Sequence, residues 1–317
     1  MNIRFMSLAF TAITVTSASG CASQEEAEEP SADKKSTEAP LSGGFRAYPS
    51  YAKDTGAMLI HQGCTAARVG PRHILTAAHC VNRYGPGTHL SITQSPSDLN
   101  ADWSTVVVSR VWAHPSWMAV DLLCGQSLRC SRDYGAADVA VIQTTFDLPS
   151  TITSARVGTH RYEAPSYPRR VFLTGYGCEG GVGGITPPNR NLGLSLSPIE
   201  PVSTVNRYGH VLTPAQVAPF DGTYLLTPGV SHANGNASLC PGDSGGPVLL
   251  ERPVYPGGPS FPTNVAIGVN ADYTFPPRSG YSTFNIHTRL SNEAPNYVGR
   301  WLQTILPESS FHKTMDP

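Results

Sequence analysis

The segment from Cys240 to Pro247, CPGDSGGP, places a serine in a turn that is rich in glycine. Gly245 and Gly246 have no Cβ, so backbone or a ligand can approach Ser244 closely, and Gly242 can adopt a positive φ. On such a tight turn a serine exposes its hydroxyl while nearby N–H groups converge on one point, as an oxyanion hole requires. A glycine-rich hairpin turn would explain the glycines but not the rest of the segment.

Two further segments carry side chains that can activate a serine. His79 lies in the segment ILTAAHC, after a run of β-forming residues and next to a cysteine. Asp138 begins the apolar run DVAVI, where a buried carboxylate needs a partner such as an imidazole N–H. A histidine in isolation is more often structural, so the inference depends on the three segments together.

Short β-like runs, separated by Gly and Pro clusters, must position these side chains. The runs predicted as strands are His73–Ala77, Thr105–Trp112, Asp138–Thr144, Arg170–Gly175, Val265–Asn270 and Ser282–Leu290. Between Pro295 and Leu306 apolar residues recur at helical spacing, which predicts one C-terminal helix. The Pro-rich stretches expected to be surface loops are 114–134, 178–190, 251–264 and 274–281. Many strands followed by one helix indicate an antiparallel barrel or sandwich.

The composition excludes several classes of protein. The 317 residues contain 22 Lys plus Arg and 23 Asp plus Glu, so the chain lacks the positive charge of a nucleic-acid binder. The apolar fraction of 40% suits a packed core. The 7 cysteines, mostly far apart, indicate an oxidising compartment. They form no Cys-x-x-Cys motif, and no His-Glu-x-x-His motif is present, so we predict neither a metal site nor a cofactor.

The N-terminus has the parts of a secretory signal. Arg4 precedes an apolar stretch that is too short to span a membrane, and the segment that ends at Cys21 resembles a bacterial lipobox. We therefore predict a signal peptide at 1–20 and lipid attachment to Cys21, which would anchor the protein to the membrane of a bacterial cell envelope. The alternative is an ordinary signal peptide with a chance cysteine, and hence a secreted protein. Residues 21–40, acidic and without large apolar side chains, are predicted to be a flexible linker before a folded domain at 41–317.

Together, the three segments resemble those of the chymotrypsin/trypsin family of serine proteases, in the chain order His79, Asp138, Ser244. The similarity includes TAAHC, the strand that begins at Asp138, GDSGGP and a C-terminal WLQTIL segment, and it extends over essentially all of 41–317. It implies an all-β fold of two antiparallel six-stranded β-barrels with a C-terminal α-helix. It also implies serine endopeptidase activity on protein or peptide substrates, and we expect a monomer.

The family mechanism assigns a role to each of these side chains. Ser244 would attack the scissile carbonyl, His79 would take and return the proton, and Asp138 would fix the histidine tautomer. The backbone N–H groups of Gly242 and Ser244 would hold the oxyanion. Activity is expected to rise through one ionisation near the ordinary histidine pKa of ~6.5. A non-catalytic binding module on the same fold and an esterase with the same triad are the alternatives.

The resemblance also implies two substrate-binding residues. Ser238, six residues before Ser244, would lie at the base of the primary specificity pocket. Because its side chain carries no charge, cleavage after Arg or Lys is disfavoured. Tyr273, just beyond the predicted strand Val265–Asn270, would lie in the wall of the same pocket and narrow it.

Activation is less well defined than catalysis. In relatives, cleavage frees a short apolar N-terminus whose amine pairs with the aspartate before the nucleophile. Here Leu41 begins the corresponding LSGG segment, and Asp243 is the aspartate. Pro40 precedes Leu41, so a trypsin-like activator would not cut there. Either activation is coupled to release from the membrane, or the chain stays uncut and another group pairs with Asp243.

Six cysteines remain once the predicted lipidation site is set aside, and six allow fifteen pairings. The resemblance implies the family's histidine-loop disulfide. Two cysteines within a long insertion are close in sequence, so a local bridge is expected there. The last two would then pair and brace the oxyanion turn. In this order, the expected pairs are Cys64 with Cys80, Cys124 with Cys130, and Cys178 with Cys240.

Overall fold

Strands make up most of the ordered elements, as the short runs of β-branched and aromatic residues predict. The computed structural model describes residues 45–47, 49–60, 63–97, 101–124, 134–160, 170–177, 191–200, 221–229, 237–253, 260–273, 284–293 and 295–313. The predicted signal peptide, Cys21, the linker and Leu41 lie outside the described residues, as do Cys130 and Cys178.

The strands, in chain order, are β1 (Phe45–Arg46), β2 (Ala57–Ile60), β3 (Cys64–Gly70), β4 (His73–Thr76), β5 (His89–Thr93), β6 (Ser104–Ala113), β7 (Ala140–Thr144), β8 (Arg156–Val157), β9 (Arg170–Gly175), β10 (Gly193–Pro198), β11 (Tyr224–Pro228), β12 (Pro247–Pro253), β13 (Ser260–Tyr273) and β14 (Phe284–Arg289). The helices are α1 (Pro49–Thr55), α2 (Pro115–Cys124) and α3 (Val298–Gln303), and 3-10 turns form at Ala78–Val81 and Glu308–Ser310.

The first sheet is a closed antiparallel barrel in the order β2-β3-β4-β7-β6-β5. One face of each strand is apolar, and these faces enclose a core that includes Met58, Ile74, Leu90, Ile92, Val108 and Ile142. Each such large side chain contributes about 1.5–3 kcal/mol when it is removed from water. Alternating β-branched and leucine residues therefore hold this barrel closed.

The second sheet has the order β1-β10-β9-β12-β13-β14-β11, and β8 pairs with β13. Just beyond β10, the Glu200 N–H donates to the Leu226 carbonyl in β11 at 2.8 Å. This contact brings the two ends of the six-strand path from β10 to β11 together around a second core, which includes Val171, Leu173, Leu225, Val248 and Ile267. The predicted pair of β-barrels is confirmed.

A third core packs between the two barrels. Leu75 and Val141 from the first barrel share it with Phe172 and Leu249 from the second and with Leu302 from α3. The C-terminal helix thus seals the joint between the barrels. Since the histidine and aspartate segments belong to the first barrel and the serine segment to the second, a shared site must lie along this joint.

All six runs predicted as strands form strands, with ends that differ by a few residues, and the predicted C-terminal helix is α3. Two expected surface loops are wrong. The stretch 114–134 contains α2, because Pro115 occupies the first helical position, where its missing N–H costs nothing. The stretch 251–264 contains the end of β12 and the start of β13, which pair with each other despite their prolines. Within the described residues, no helix has the length and apolar character needed to cross a membrane.

Candidate active site

The pairing of β4 with β7 brings His79 and Asp138 to the same end of the first barrel. Thr76, the last residue of β4, lies opposite Ala140, the first residue of β7. His79 follows Thr76 in the 3-10 turn, and Asp138 precedes Ala140, so both leave the sheet together. Nδ1 of His79 lies 2.7 Å from Oδ2 of Asp138, and the His79 backbone N–H donates to Oδ1 at 3.0 Å. Because an ionised carboxylate only accepts, Nδ1 carries the proton and Nε2 is left as the base.

This pair is mostly shielded from solvent, with 18% of the His79 side chain and 5% of the Asp138 side chain exposed. Burial, the largest single effect on the His79 pKa, lowers it. The charge of Asp138 and the hydrogen bond to it act in the opposite direction, and the charge of Asp272 adds to them. The net result is that the pKa of His79 is raised above its ordinary value of 6.5. The site therefore favours the imidazolium that forms when the ring takes a proton.

Ser244 lies on a turn that needs glycine on both sides. Gly242 has a φ of +104° and Gly245 a φ of +84°, which L side chains rarely adopt. The Ser244 carbonyl accepts a hydrogen bond from the Thr65 N–H at 2.9 Å, and the Gly245 N–H donates to the Asn270 carbonyl at 2.8 Å. These bonds tie the serine turn to β3 of the first barrel and to β13 of the second.

Two backbone donors on this turn are available to a ligand. In the part of the chain that the structure describes, the N–H groups of Gly242 and Ser244 donate no hydrogen bond. The carbonyl of Gly242, in contrast, accepts a hydrogen bond from the Thr65 hydroxyl at 2.7 Å. Such donors stabilise an oxygen that gains negative charge, which is the role expected of an oxyanion hole.

The Asp243 carboxylate is fully buried and anchored by the main chain. Oδ1 accepts from the Gly177 N–H at 2.7 Å, and Oδ2 accepts from the Cys240 N–H at 2.9 Å. A Cβ on Gly177 would lie 2.5 Å from the carboxylate carbon, so only glycine fits there. Asp243 thus fixes the serine turn against the loop after β9. Leu41, the other residue of the activation hypotheses, lies outside the described residues.

The predicted disulfide between Cys64 and Cys80 is confirmed, and it borders the joint between histidine and serine. Cys80 Sγ lies 3.7 Å from His79 Nε2 and 3.8 Å from the Ser244 carbonyl oxygen. Among the described residues, the Ser244 hydroxyl makes no hydrogen bond, to His79 or to any other group. A catalytic hydrogen bond of this kind often tightens only in the substrate complex.

The other cysteines bear on the expected pairings and on metal binding. Cys124 and Cys240 are each disulfide-bonded, while their expected partners lie outside the described residues. Ligand atoms of Cys64, His79 and Cys80 lie within 4.8 Å of one another. The two sulfurs are bonded together, however, so neither is a thiolate, and this group does not suit a metal.

The two predicted pocket residues differ in how much is described. Ser238 is buried, with 1% of its surface exposed, two residues before the disulfide-bonded Cys240. Tyr273 is the last residue of β13, and its side chain lies outside the described part of the structure.

Sequence reasoning missed the buried amide that supports the serine turn. Asn270 Nδ2 donates to the Asp243 carbonyl at 3.1 Å and to the Thr174 carbonyl at 2.8 Å. Asn270 Oδ1 lies 2.9 Å from Nδ1 of the buried His287. Burial lowers the pKa of His287 to about 3, so this ring is neutral and its Nδ1–H donates to the amide oxygen. The sequence signal that could have indicated this role is a polar residue, Asn270, at the end of the apolar run that begins at Val265.

Comparisons with known proteins agree with this architecture. A family model described as Trypsin matches residues 42–272. Among solved structures, the chain is similar to an inactivated protease paralogue from the scabies mite, with a TM-score of 0.53 and 18% sequence identity. That similarity covers 82% of this chain and 98% of the mite protein, and at this identity it shows the fold alone. Because the family model matches well over half of the sequence, the chain belongs to the trypsin family.

Proposed function

We propose that the protein is a serine endopeptidase that cleaves peptide bonds through an acyl-enzyme. The observation that carries this proposal is the 2.7 Å contact between His79 Nδ1 and Asp138 Oδ2. It leaves Nε2 of His79 as a base in the cleft where Cys80 lies against both His79 and the Ser244 carbonyl. A serine hydroxyl is protonated at neutral pH, so it needs such a base to become a nucleophile.

In the proposed mechanism, the Ser244 oxygen bonds to the substrate carbonyl carbon while His79 Nε2 takes the hydroxyl proton. The carbonyl oxygen becomes an oxyanion, and the N–H groups of Gly242 and Ser244 stabilise it. The C–N bond then breaks, and His79 gives the proton to the leaving amine. Water repeats the sequence on the acyl-enzyme, with His79 again as the base. Asp138 stabilises the imidazolium in both halves without taking a proton itself.

The rival proposal is a binding module without catalysis. One observation favours it, namely that the Ser244 hydroxyl makes no hydrogen bond to His79 among the described residues. The similar mite structure is also named an inactivated protease. Against it stand the intact His79–Asp138 pair and the N–H groups of Gly242 and Ser244, which donate to no other described residue, because a binding module has no need of either.

A fluorophosphonate probe and a peptidase assay test the proposal together. The wild type should be labelled, whereas Ser244→Ala should not, and its kcat should fall on the order of 10⁶-fold if subtilisin values transfer. Ser154→Ala, a change of an exposed serine, is the matched control and should behave as wild type. Labelling that survives Ser244→Ala contradicts the proposal. Ester hydrolysis without peptide hydrolysis favours an esterase.

We also propose that the mature protein is held at a bacterial cell envelope by lipid on Cys21, with the acidic segment 21–40 as a tether. The support is the resemblance of the segment around Cys21 to a lipobox. Mass analysis of active material distinguishes the two activation routes. A form that begins at lipidated Cys21 requires an uncut enzyme, and a form that begins at Leu41 requires activation by cleavage. Loss of the lipid mass in Cys21→Ser is the expected result.

A further inference from the structure

Four polar side chains lie inside the second barrel, in positions completely shielded from solvent. Each of these residues has 0% of its surface exposed: Thr227, Asn270, Asn285 and His287. A buried polar group costs stability unless its donors and acceptors are paired. None of the four side chains has a buried polar atom without a partner. Their hydrogen bonds therefore determine how this part of the barrel is arranged.

The register of three strands places the four side chains next to one another. Thr227 of β11 lies opposite Asn285 of β14, and Asn270 of β13 lies opposite His287 of β14. Asn285 and His287 are two positions apart on β14, so they share one face of the strand. The four residues form a polar row that crosses β11, β14 and β13.

Main-chain groups fix the orientation of the Asn285 amide at one end of the polar row. Its Oδ1 accepts from the Leu239 N–H at 2.8 Å, and its Nδ2 donates to the Ala237 carbonyl at 2.8 Å. Since an N–H only donates and a carbonyl only accepts, this amide cannot be turned around. Its Nδ2 also donates to the Thr227 hydroxyl oxygen at 3.1 Å. The hydroxyl hydrogen of Thr227 is then directed to another acceptor.

The Asn270 amide is fixed in the same way at the other end of the row. Its Nδ2 donates to the Thr174 and Asp243 carbonyls, at 2.8 and 3.1 Å, so its Oδ1 must face His287. This oxygen lies 2.9 Å from Nδ1 of His287, which must therefore carry the ring proton. Nε2 of the ring is an acceptor, and the Thr227 hydroxyl donates to it at 3.0 Å. His287 thus joins the two fixed ends as a neutral ring.

Both ends of the polar row bind the same stretch of main chain, residues 237–243, which leads into the serine turn. Asn285 holds the start of this stretch, and Asn270 holds its end. The N–H groups expected to stabilise the oxyanion belong to Gly242, within the stretch, and to Ser244, directly after it. A buried network whose polar groups are all paired is rigid. The row therefore holds the backbone that carries both donors.

We propose that His287 is a positioning residue for the serine turn and that it acts through Asn270. The inference rests on the proposed peptidase function and deepens it. With its proton on Nδ1, the ring keeps the nitrogen of the Asn270 amide toward the Asp243 carbonyl. With the proton on Nε2 instead, two acceptors would meet, and the amide would turn its oxygen toward carbonyl oxygens. The serine turn would then shift, and a shift of about 1 Å in a reacting group costs about 10²-fold in rate.

Steady-state kinetics on a peptide substrate test the role of His287. His287→Leu should lower kcat by about 10²-fold. KM should change little, because the oxyanion forms only in the transition state. His287→Asn, whose amide nitrogen can take the place of Nδ1, should lose much less. A kcat of His287→Leu equal to that of the wild type overturns the proposal.

The hydroxyl that orients the ring gives a second pair of variants. Thr227→Val removes the donor to Nε2 and should also lower kcat, whereas Thr227→Ser keeps the donor and should lose much less. Thr144→Val is the matched control, since it removes a buried hydroxyl at the end of β7 that lies away from Asp138. It should keep the wild-type kcat. Equal kcat values for Thr227→Val and Thr227→Ser would contradict the role of the hydroxyl in orienting His287.

A double-mutant cycle separates positioning from a general loss of stability. Asn270→Leu should lower kcat, because the amide contact with Asp243 is lost. In that background His287→Leu should lower kcat little further, since the amide through which it acts is gone. Urea unfolding of each variant identifies a temperature at which all of them are folded. Losses in kcat that are independent and additive overturn the proposal.

The ring tautomer gives a test that needs neither a variant nor activity. Nitrogen-15 NMR distinguishes a protonated ring nitrogen from an unprotonated one, and His287 in the wild type should carry its proton on Nδ1 at neutral pH. A proton on Nε2 overturns the proposal. If the wild type cleaves no peptide, the proposed function fails, while the tautomer still decides whether His287 holds Asn270 in this orientation.

Discussion

Both carboxylate oxygens of Asp138 accept hydrogen bonds from one residue, His79. Oδ2 lies 2.7 Å from the ring Nδ1, and Oδ1 lies 3.0 Å from the backbone N–H. The side-chain contact fixes the tautomer of the imidazole, and the backbone contact fixes the position of the His79 main chain relative to Asp138. The hydroxyl of Thr288 holds the same aspartate from the second barrel, because it donates to the Asp138 carbonyl at 3.1 Å.

Asp138→Asn should lower kcat by about 10⁴-fold, as the same change of the triad aspartate does in trypsin-family proteases. An amide can donate to Nδ1, so Nε2 would carry the proton and could no longer act as a base. Steady-state kinetics on a peptide substrate measure the loss. Asp102→Asn, which changes an exposed carboxylate, controls for the loss of one negative charge. A variant at position 138 with near-normal kcat would show that the pair is not part of the chemistry.

The acid limb of activity should lie above pH 6.5, since attraction to Asp138 and Asp272 outweighs burial and raises the pKa of His79. The base must be neutral, so activity is lost as the pH falls through this raised pKa. The structure thus moves the midpoint upward from the ~6.5 expected for an ordinary histidine. A profile of kcat/KM against pH gives the value for the free enzyme. A midpoint below 6.5 contradicts the assignment.

Two buried histidines should make the fold sensitive to acid. Burial lowers the pKa of His114 to about 4 and that of His287 to about 3. In the unfolded chain both take protons near pH 6.5, so the unfolded state binds more protons below that pH and stability falls as the pH falls. The loss should reach about 3 kcal/mol for each residue near pH 4.5.

Denaturant unfolding at a series of pH values measures the slope of the free energy of unfolding against pH. His114→Gln and His287→Gln should each flatten it between pH 6.5 and 4.5, even where they lower stability at neutral pH. His89→Gln is the control, because His89 is exposed on β5. A slope that is the same in all three variants and in the wild type would show that these histidines do not titrate on unfolding.

Gly177→Ala should disrupt the serine turn without touching the substrate. The added Cβ would lie 2.5 Å from the Asp243 carboxylate carbon, so the carboxylate and its turn must shift. A shift of about 1 Å in a reacting group costs about 10²-fold in rate, and overpacking costs about 1–3 kcal/mol of stability. Gly85→Ala is the matched control, because a Cβ there meets no atom within 4 Å. Equal kcat values for the two variants would contradict the role given to Asp243.

Removal of the disulfide by Cys64→Ser with Cys80→Ser should cost about 3 kcal/mol, as expected for a loop of this length. The bridge joins residues with a sequence separation of 16, and it lies against His79 and the Ser244 carbonyl. Urea unfolding measures the stability. Activity at low temperature, where the variant stays folded, should also fall because the bridge helps to set the distance between His79 and Ser244. A double variant as stable as the wild type would contradict this account.

Sequence patterns alone were enough to predict the fold, the Cys64–Cys80 disulfide and the three side chains of the candidate site. The segments around His79, Asp138 and Ser244 are local signatures, and the Gly-rich turn, the β-forming runs and the C-terminal helix are set by short-range preferences. Gly242 takes the positive φ that its residue type allows, and Gly245 combines a positive φ with a position where a Cβ would lie 2.1 Å from the Thr76 hydroxyl oxygen.

How these groups act on one another depends on contacts between residues that are far apart in the chain. His79 and Asp138 are 59 positions apart, and the direction of the His79 pKa depends on burial, on Asp138 and on the distant Asp272 together. No local pattern contains that balance. The bulge at Ala271 in the pairing of β13 with β14 is likewise a property of two strands and not of one.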